Sequence, residues 1–202
     1  MARVSNKYQA RNKFYILTNG EQTEKNYFEL LKAKHSIYEV KVEFVNADPL
    51  GLVEYAIRNF KDANQVWCVF DIDNSYKDNR LMRALKKAKD NGIKIAYSNI
   101  AFEVWLISHF ERCEKELEVK DYPAILNKAL KDKGVTYSKN DKELLKEHFI
   151  PLYKDAVQNA KVVYQTRVKN FHEVCPNDQL PIWKWNSSTD VFKLVEALKL
   201  RD

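Results

Sequence analysis

The sequence predicts an α/β protein with a central parallel sheet of about four strands, flanked by helices and followed by a helical extension. Three observations predict this fold. The first 110 residues alternate short apolar runs with helical patterns four times, which is typical of a parallel sheet covered by helices. The run Val66–Phe70 is apolar throughout, as expected for a strand buried on both faces. Beyond Arg112 charges become dense and only helical patterns remain.

The chain length sets the domain organisation that we expect. A chain of 202 residues fits one sizeable domain, or one domain with a smaller addition. The change at Arg112 predicts an α/β domain over residues 1–112 and a helical extension over 113–202 that packs on it. With only 4 glycines and 5 prolines, the composition argues against disorder and against an all-β fold.

Each element has its own signal in the sequence. Strands are predicted at 14–18, 40–45, 66–70 and 93–97 from apolar or alternating runs. The second helix has the clearest start, with Asp48 as N-cap and Pro49 in the first turn. Gly92 is placed to end the third helix. Further helices are predicted over 78–89, 102–110, 122–132, 141–150 and 152–169, and the run Ser187–Asp190 is predicted to cap a last helix.

Two aspartates follow the third predicted strand directly. Asp71 and Asp73 lie where ligands bind in open α/β sheets, beyond the carboxyl ends of the strands. If the strand continues, both side chains point to the same side, because side chains alternate along a strand. Two adjacent carboxylates suit a hard cation such as Mg²⁺ or Mn²⁺. The alternative is that this D-x-D-N segment is a polar loop that caps the next helix.

Two other predicted strands also end in polar residues. Asn19, Glu21 and Glu24 follow the first strand, with Gly20 permitting a tight turn, and Ser98, Asn99 and Glu103 follow the fourth. Because the carboxyl ends of parallel strands share one edge of the sheet, these groups are expected to converge with Asp71. Glu21, Glu24 and Glu103 also lie near helix starts, where negative charge is favourable without any catalytic role. His109, in the apolar segment 102–110, is either functional or a hydrogen-bonded core residue.

Charge and cysteine usage narrow the class of protein. The chain carries 34 Lys plus Arg against 28 Asp plus Glu, a net charge of +6 that is compatible with a phosphate-rich partner. Lys25, Lys77 and Arg80 lie near the predicted site and are candidates to bind a nucleic-acid backbone. The three cysteines lack metal-type spacing and are expected to be reduced thiols. No signal-peptide pattern or apolar segment of about 20 residues is present, which predicts a cytoplasmic protein without a membrane span.

Four motifs resemble the RloB-like family of bacterial proteins, which is associated with abortive phage resistance. They are N-G-E-Q-T-E-K-N-Y-F at 19–28, V-W-C-V-F-D-I-D at 66–73, S-N-I-A-F-E-V-W-L-I-S-H-F at 98–110 and N-S-S-T-D-V-F-K-L-V at 186–195. They occur in the expected order and span most of the chain, whereas residues 112–180 are poorly covered.

The resemblance implies a Toprim-type domain. Such domains use a glutamate after the first strand and a D-x-D motif after a later one to hold divalent metal for phosphodiester chemistry. The D-x-D motif corresponds to Asp71 and Asp73. The first motif departs from the family pattern, because Asn19 stands where a glutamate is expected. Glu21 or Glu24 would then replace that glutamate, and Glu103 would supply a further acid.

Three functions follow from these residues. The first is a metal-dependent nuclease with Asp71, Asp73 and Glu24 as metal ligands and Glu21, Glu24, Glu103 and His109 as catalytic candidates. Its substrate would be DNA or RNA, tRNA included, and its partners would include an ATPase or another defence protein, or a second copy of the chain. The second is a nucleic-acid-binding or partner-gated regulatory protein with a degenerate metal site, motivated by Asn19. The third, a receiver-like protein phosphorylated on Asp71, lacks a convincing Thr/Ser and Lys pair, although Ser98 is a candidate.

Overall fold

The computed structural model describes residues 12–34, 36–72, 79–176 and 181–200. Five strands and eight α-helices are assigned within these ranges. Their bounds are β1 Lys13–Thr18, α1 Thr23–Leu31, β2 Glu39–Phe44, α2 Pro49–Asn59, β3 Gln65–Asp71, α3 Arg80–Asp90, β4 Lys94–Asn99, α4 Glu103–Ile107, α5 Tyr122–Leu130, α6 Lys142–Leu144, α7 Tyr153–Val174, β5 Ser188–Thr189 and α8 Val191–Ala197. No helix in the described part of the chain is long and apolar enough to cross a membrane.

The sheet confirms the predicted α/β class and adds one strand. Its order is β2-β1-β3-β4-β5, with the first four strands parallel and β5 antiparallel to β4. The chain moves outward from β1 to β2 and then returns past β1 to β3. The order therefore reverses between β1 and β3, and such a reversal opens a crevice at the carboxyl ends of the strands.

Helices cover both faces of the sheet, as the apolar third strand predicts. Along β3 the buried side chains alternate, with Trp67 and Val69 in the core on the α1 side and Cys68 and Phe70 in the core on the opposite side. Helices α2 and α3 supply most of the second core through Leu52, Val53, Ala56, Leu81, Ala84 and Ala88.

The start of α2 also follows the sequence signal. The Asp48 carboxylate accepts a hydrogen bond from the Gly51 backbone N–H over 2.9 Å, and Pro49 occupies the first turn. This is the capping arrangement that the sequence predicts. Gly92 follows α3 with φ +68°, a conformation that favours glycine at a helix end.

The fifth strand corrects the expectation that the chain beyond Arg112 contributes only helices. Ser188 and Thr189 pair with Asn99 and Ser98 of β4. The segment has only two residues and no apolar alternation, so its sequence carries no strand signal. Its pairing depends instead on buried polar contacts, since the Thr189 hydroxyl donates to the Tyr97 carbonyl over 2.8 Å.

The same segment differs from a simple helix cap. Asp190 precedes α8, but its carboxylate accepts from the Tyr97 backbone N–H over 2.7 Å and pairs with Lys193 at 3.2 Å. The Thr189 side chain accepts from the Val191 backbone N–H over 3.3 Å. These residues therefore join α8 to β4 as well as beginning the helix.

The hydrophobic core on the α1 side continues across the predicted domain boundary at residue 112. Side chains of α1 and α4 share this core with Tyr122 and Leu126 of α5, Ala156 of α7 and Leu194 of α8. The division at 112 stays a prediction, and the shared core means that the extension completes the α/β unit.

Candidate active site

Three carboxylates from three separate parts of the chain meet at the carboxyl edge of the sheet. Glu24 lies in the first turn of α1, Asp71 is the last residue of β3, and Glu103 is the first residue of α4. We call this set the acid cluster. It lies at the carboxyl ends of β1, β3 and β4, beside the point where the strand order reverses.

Asp71 is the electrostatic centre of the acid cluster. Burial raises its pKa well above the ordinary range, and the negative charges of Glu24 and Glu103 raise the pKa further. A hydrogen bond from the Phe102 backbone N–H and the positive charge of Lys139 act in the opposite direction. Asp71 therefore resists ionisation unless a cation is close.

The pKa of Glu24 is also raised, and burial is again the main cause. Burial raises its pKa, while a hydrogen bond within its own residue and the charge of Lys139 lower it, and Glu103 adds to the rise. An acid whose pKa is raised by folding stabilises the fold less as the pH rises above its ordinary pKa. Ionising Glu24 and Asp71 thus destabilises the metal-free protein as the pH rises, and a bound cation would offset that loss.

Gly20 allows the Glu24 carboxylate to fold back toward the end of β1. A Cβ atom placed on Gly20 would lie 1.9 Å from Glu24 Oε2 and 2.3 Å from Oε1. Gly20 is not among the glycines with positive φ, so its role differs from the backbone freedom that the sequence suggests. It is the absence of a side chain at residue 20 that leaves room for the carboxylate.

Glu103 is held by two donors from the helical extension. Its side chain is buried, and its Oε1 atom accepts from the Tyr137 hydroxyl over 3.2 Å. Lys139 Nζ lies 3.2 Å from the same oxygen. Both donors belong to residues 134–141, the 134–141 loop, which runs between a 3₁₀ turn at Lys131–Lys133 and α6.

His109 occupies a different environment from the acid cluster. Its Nε2 atom lies 3.0 Å from the Tyr27 hydroxyl, and its Nδ1 atom faces the carbonyls of Trp105 and Leu106 at 3.0 and 3.2 Å. Because carbonyls only accept, Nδ1 carries the proton and Nε2 accepts from Tyr27. Burial lowers the His109 pKa to about 4. These contacts join α1 to α4, and a catalytic role for His109 stays a prediction.

Three further predicted residues lie near the starts of α1 and α3. Glu21 is exposed in the turn before α1, and Lys25 is half-buried on α1. Arg80, the first residue of α3, forms an ion pair with Asp48 at the start of α2. Asp73 and Lys77 lie outside the described residues, so their predicted roles are untested.

A family model matches most of the chain. The model is that of the RloB-like protein family, and it matches residues 14–198. The chain belongs to the RloB-like family. The matched range includes all three carboxylates of the acid cluster and the 134–141 loop of this family member. A search of curated proteins and a search of solved structures found no match.

Sequence patterns did not predict which residues of the helical extension lie next to the acid cluster. Tyr137, Lys139 and Asn140 lie in a short polar segment without helical or strand periodicity. The available signal was the pair of turn-forming residues that bound it, since Gly134 and Asn140 both adopt positive φ. Turn residues predict a loop, but they do not indicate which site the loop covers.

Proposed function

We propose that this chain is a divalent-metal-dependent nuclease with a Toprim-type site that cleaves DNA or RNA. The observation that carries the proposal is the acid cluster, in which Glu24, Asp71 and Glu103 come from three elements to one edge of the sheet. Structural ion pairs rarely need three acids in one place, with the charges of Glu24 and Glu103 raising the pKa of Asp71, whereas metal sites do.

The donor chemistry of the acid cluster fits a hard divalent cation. Carboxylate oxygens are the ligands that Mg²⁺ and Mn²⁺ prefer, and the mutual repulsion of the cluster is relieved by positive charge. Within the described ranges, no three acidic, histidine or cysteine side chains are yet spaced as in a formed metal centre. Asp73, which the D-x-D motif adds to the donor set, lies outside those ranges.

Each residue receives a role from its position. Asp71, Glu24 and Glu103, together with Asp73, would hold Mg²⁺ or Mn²⁺. When bound, the metal would polarise a phosphodiester and make water a better nucleophile. Glu24 and exposed Glu21, near the start of α1, are the candidates to take up a proton from the attacking water.

Basic residues at the same edge support a phosphate-bearing substrate. Lys25 lies in the first turn of α1, after β1, and Arg80 is the first residue of α3, after β3; Lys77 precedes Arg80 in sequence. Such residues hold a nucleic-acid backbone through charge, so binding should weaken as salt rises. Membership of the RloB-like family supports a role in phage defence in the cytoplasm, with a partner ATPase, another defence protein or a second copy of the chain.

Asn19 favours a second candidate function. It stands where the family pattern has a glutamate, and a neutral amide gives the site one negative charge fewer. A regulatory protein that binds nucleic acid without cleaving it would tolerate this loss. Against that alternative, Glu24 brings a carboxylate back over Gly20, next to Asn19.

Calorimetric titration of Mn²⁺ and Mg²⁺ into the wild type and the Asp71→Asn variant tests the proposal. The same samples are incubated with plasmid DNA and with bulk tRNA. We expect Asp71→Asn to weaken metal binding by at least about 10–100-fold, the loss typical even for an outer-shell partner, and to abolish cleavage. Asp132→Asn is the matched control because Asp132 is exposed on the turn after α5.

The outcomes separate the two functions. Metal-dependent cleavage by the wild type that is lost in Asp71→Asn establishes the nuclease and identifies its substrate. Salt-dependent binding of nucleic acid that survives Asp71→Asn, without metal binding by the wild type, would establish the binding protein instead.

A further inference from the structure

One carboxylate oxygen of Glu103 has two partners from the extension. A carboxylate oxygen offers two lone pairs. At Glu103 Oε1 one accepts from the Tyr137 hydroxyl over 3.2 Å, and Lys139 Nζ forms an ion pair with the same oxygen at 3.2 Å. A metal ion at this oxygen would therefore compete with the Lys139 charge and with the Tyr137 hydroxyl.

The 134–141 loop that carries both donors is fastened on either side of the acid cluster. The Thr23 hydroxyl donates to Asn140 Oδ1 over 3.0 Å, which ties the loop to the first residue of α1, next to Glu24. On the other side, the Tyr137 backbone N–H donates to Asn127 Oδ1 over 2.6 Å. The loop therefore contacts Glu103 directly, and it contacts Thr23, the residue next to Glu24.

Lys139 places its positive charge within reach of the whole acid cluster. Its charge lowers the pKa values of both Glu24 and Asp71, so it acts on all three carboxylates and not on Glu103 alone. Its side chain nevertheless stays 65% exposed, whereas that of Glu103 is 9% exposed. Because the Lys139 end of this ion pair is in solvent, the lysine can swing away and a divalent cation of higher charge can take its place.

We propose that Lys139 is a built-in counter-cation of the acid cluster, and that the 134–141 loop is a latch whose hold on Glu103 competes with a divalent metal. The inference rests on the proposed metal-dependent function. Tyr137 and Lys139 are here regulatory residues that compete with the metal. The latch explains why the described carboxylates carry the donor chemistry of a metal site without its spacing.

Calorimetric titration of Mn²⁺ into the wild type, Lys139→Met and Lys142→Met tests this competition. Removing a competing cation should tighten Mn²⁺ binding by about tenfold, equivalent to roughly 1.4 kcal/mol. Lys142→Met removes the same charge from an exposed residue at the start of α6 and should leave the affinity unchanged. Unchanged or weaker binding by Lys139→Met would overturn the latch, because a residue that supports the metal site would give that result.

Hydrogen exchange supplies a second measurement that does not depend on a variant. With saturating Mg²⁺, amides of the 134–141 loop in the wild type should exchange several-fold faster, as expected when local structure opens. Unchanged or slower exchange in the metal-bound protein would contradict release of the loop.

The failure of the latch is distinguishable from the failure of the proposed function. If the wild type and Lys139→Met bind Mn²⁺ equally, the latch is wrong and the metal site stands. If neither binds Mn²⁺, both proposals fall. Binding by Lys139→Met alone would support the latch in its strongest form.

Discussion

At the scale of single residues, the acid cluster shows how position changes the chemistry of a common side chain. Glu24 and exposed Glu21 are three residues apart and lie near the same helix start. Only Glu24 is turned over Gly20 into the group whose charges raise the pKa of Asp71. Both glutamates were candidates from the sequence, because position near a helix start does not show which side chain turns inward.

Gly20→Ala tests the position of the Glu24 carboxylate. The added Cβ would overlap the carboxylate, which is the far end of a flexible side chain and can move aside. The free energy of unfolding should therefore change by no more than about 0.5 kcal/mol, as for ordinary surface substitutions. We expect Mn²⁺ affinity, measured by calorimetry, to fall by about tenfold, or roughly 1.4 kcal/mol.

A double-mutant cycle identifies the cause of that loss. If Gly20→Ala acts through Glu24, adding it to Glu24→Gln should produce no further loss of affinity, because the two residues share one interaction. Losses that simply add would show that residue 20 affects the metal by another route.

At the scale of elements, α2 and α3 are joined at the carboxyl edge of the sheet by one aspartate. Asp48 caps α2 through Gly51 and pairs with Arg80 at the start of α3. The hydrogen bond from Arg80 is the main cause of its lowered pKa, against a smaller opposing effect of burial, with Gly51 lowering it further. Arg80, a candidate for binding phosphate, is thus also part of the scaffold.

Asp48→Ala and Asp48→Asn separate the cap from the ion pair. Alanine removes both and should lower the free energy of unfolding by about 1–2 kcal/mol. Asparagine also caps helices well, so it should remove mainly the charge, and the half-exposed ion pair limits that loss to about 1 kcal/mol or less. Denaturant unfolding measures both, with exposed Asp62→Asn as the control.

The pH dependence of Asp48→Asn has a defined sign. A carboxyl group whose pKa is lowered by folding contributes stability above its ordinary pKa, here 3.8, and loses it as the pH falls below that value. The stability difference between the wild type and Asp48→Asn should therefore be constant near neutrality and shrink below about pH 4. A difference that persists at lower pH would contradict the electrostatic explanation.

The elements differ in how far the sequence predicts them. Strands β1 to β4 have apolar or alternating runs that continue over several residues, and their predicted bounds agree with the structure to within about two residues. Helix α2 begins with an N-cap aspartate and a proline, so local chemistry alone predicts where it starts. Strand β5 and the 134–141 loop have no such local signal, because distant contacts with β4 and with Glu103 determine their placement.

At the scale of the whole molecule, the extension and the α/β unit share one hydrophobic core and one candidate site. Strand β5 completes the sheet, and α5, α7 and α8 contribute apolar side chains to the core that also contains those of α1 and α4. The 134–141 loop adds Lys139 and Tyr137 to the acid cluster. The sequence predicted that the extension packs on the α/β domain. A change in composition at Arg112 does not show, however, that the two parts share one core.

Truncation at the predicted boundary tests this interdependence. A chain of residues 1–112 lacks large core side chains, among them Tyr122, Phe149, Phe192 and Leu194. Each such buried group contributes about 1.5–3 kcal/mol, and a domain is stable by only about 5–15 kcal/mol in total. We therefore expect residues 1–112 alone to show no cooperative thermal transition by circular dichroism, and co-expression with residues 113–202 to restore one. A sharp transition of the fragment alone, at a temperature close to that of the whole chain, would show that the boundary at 112 separates two independently folding units.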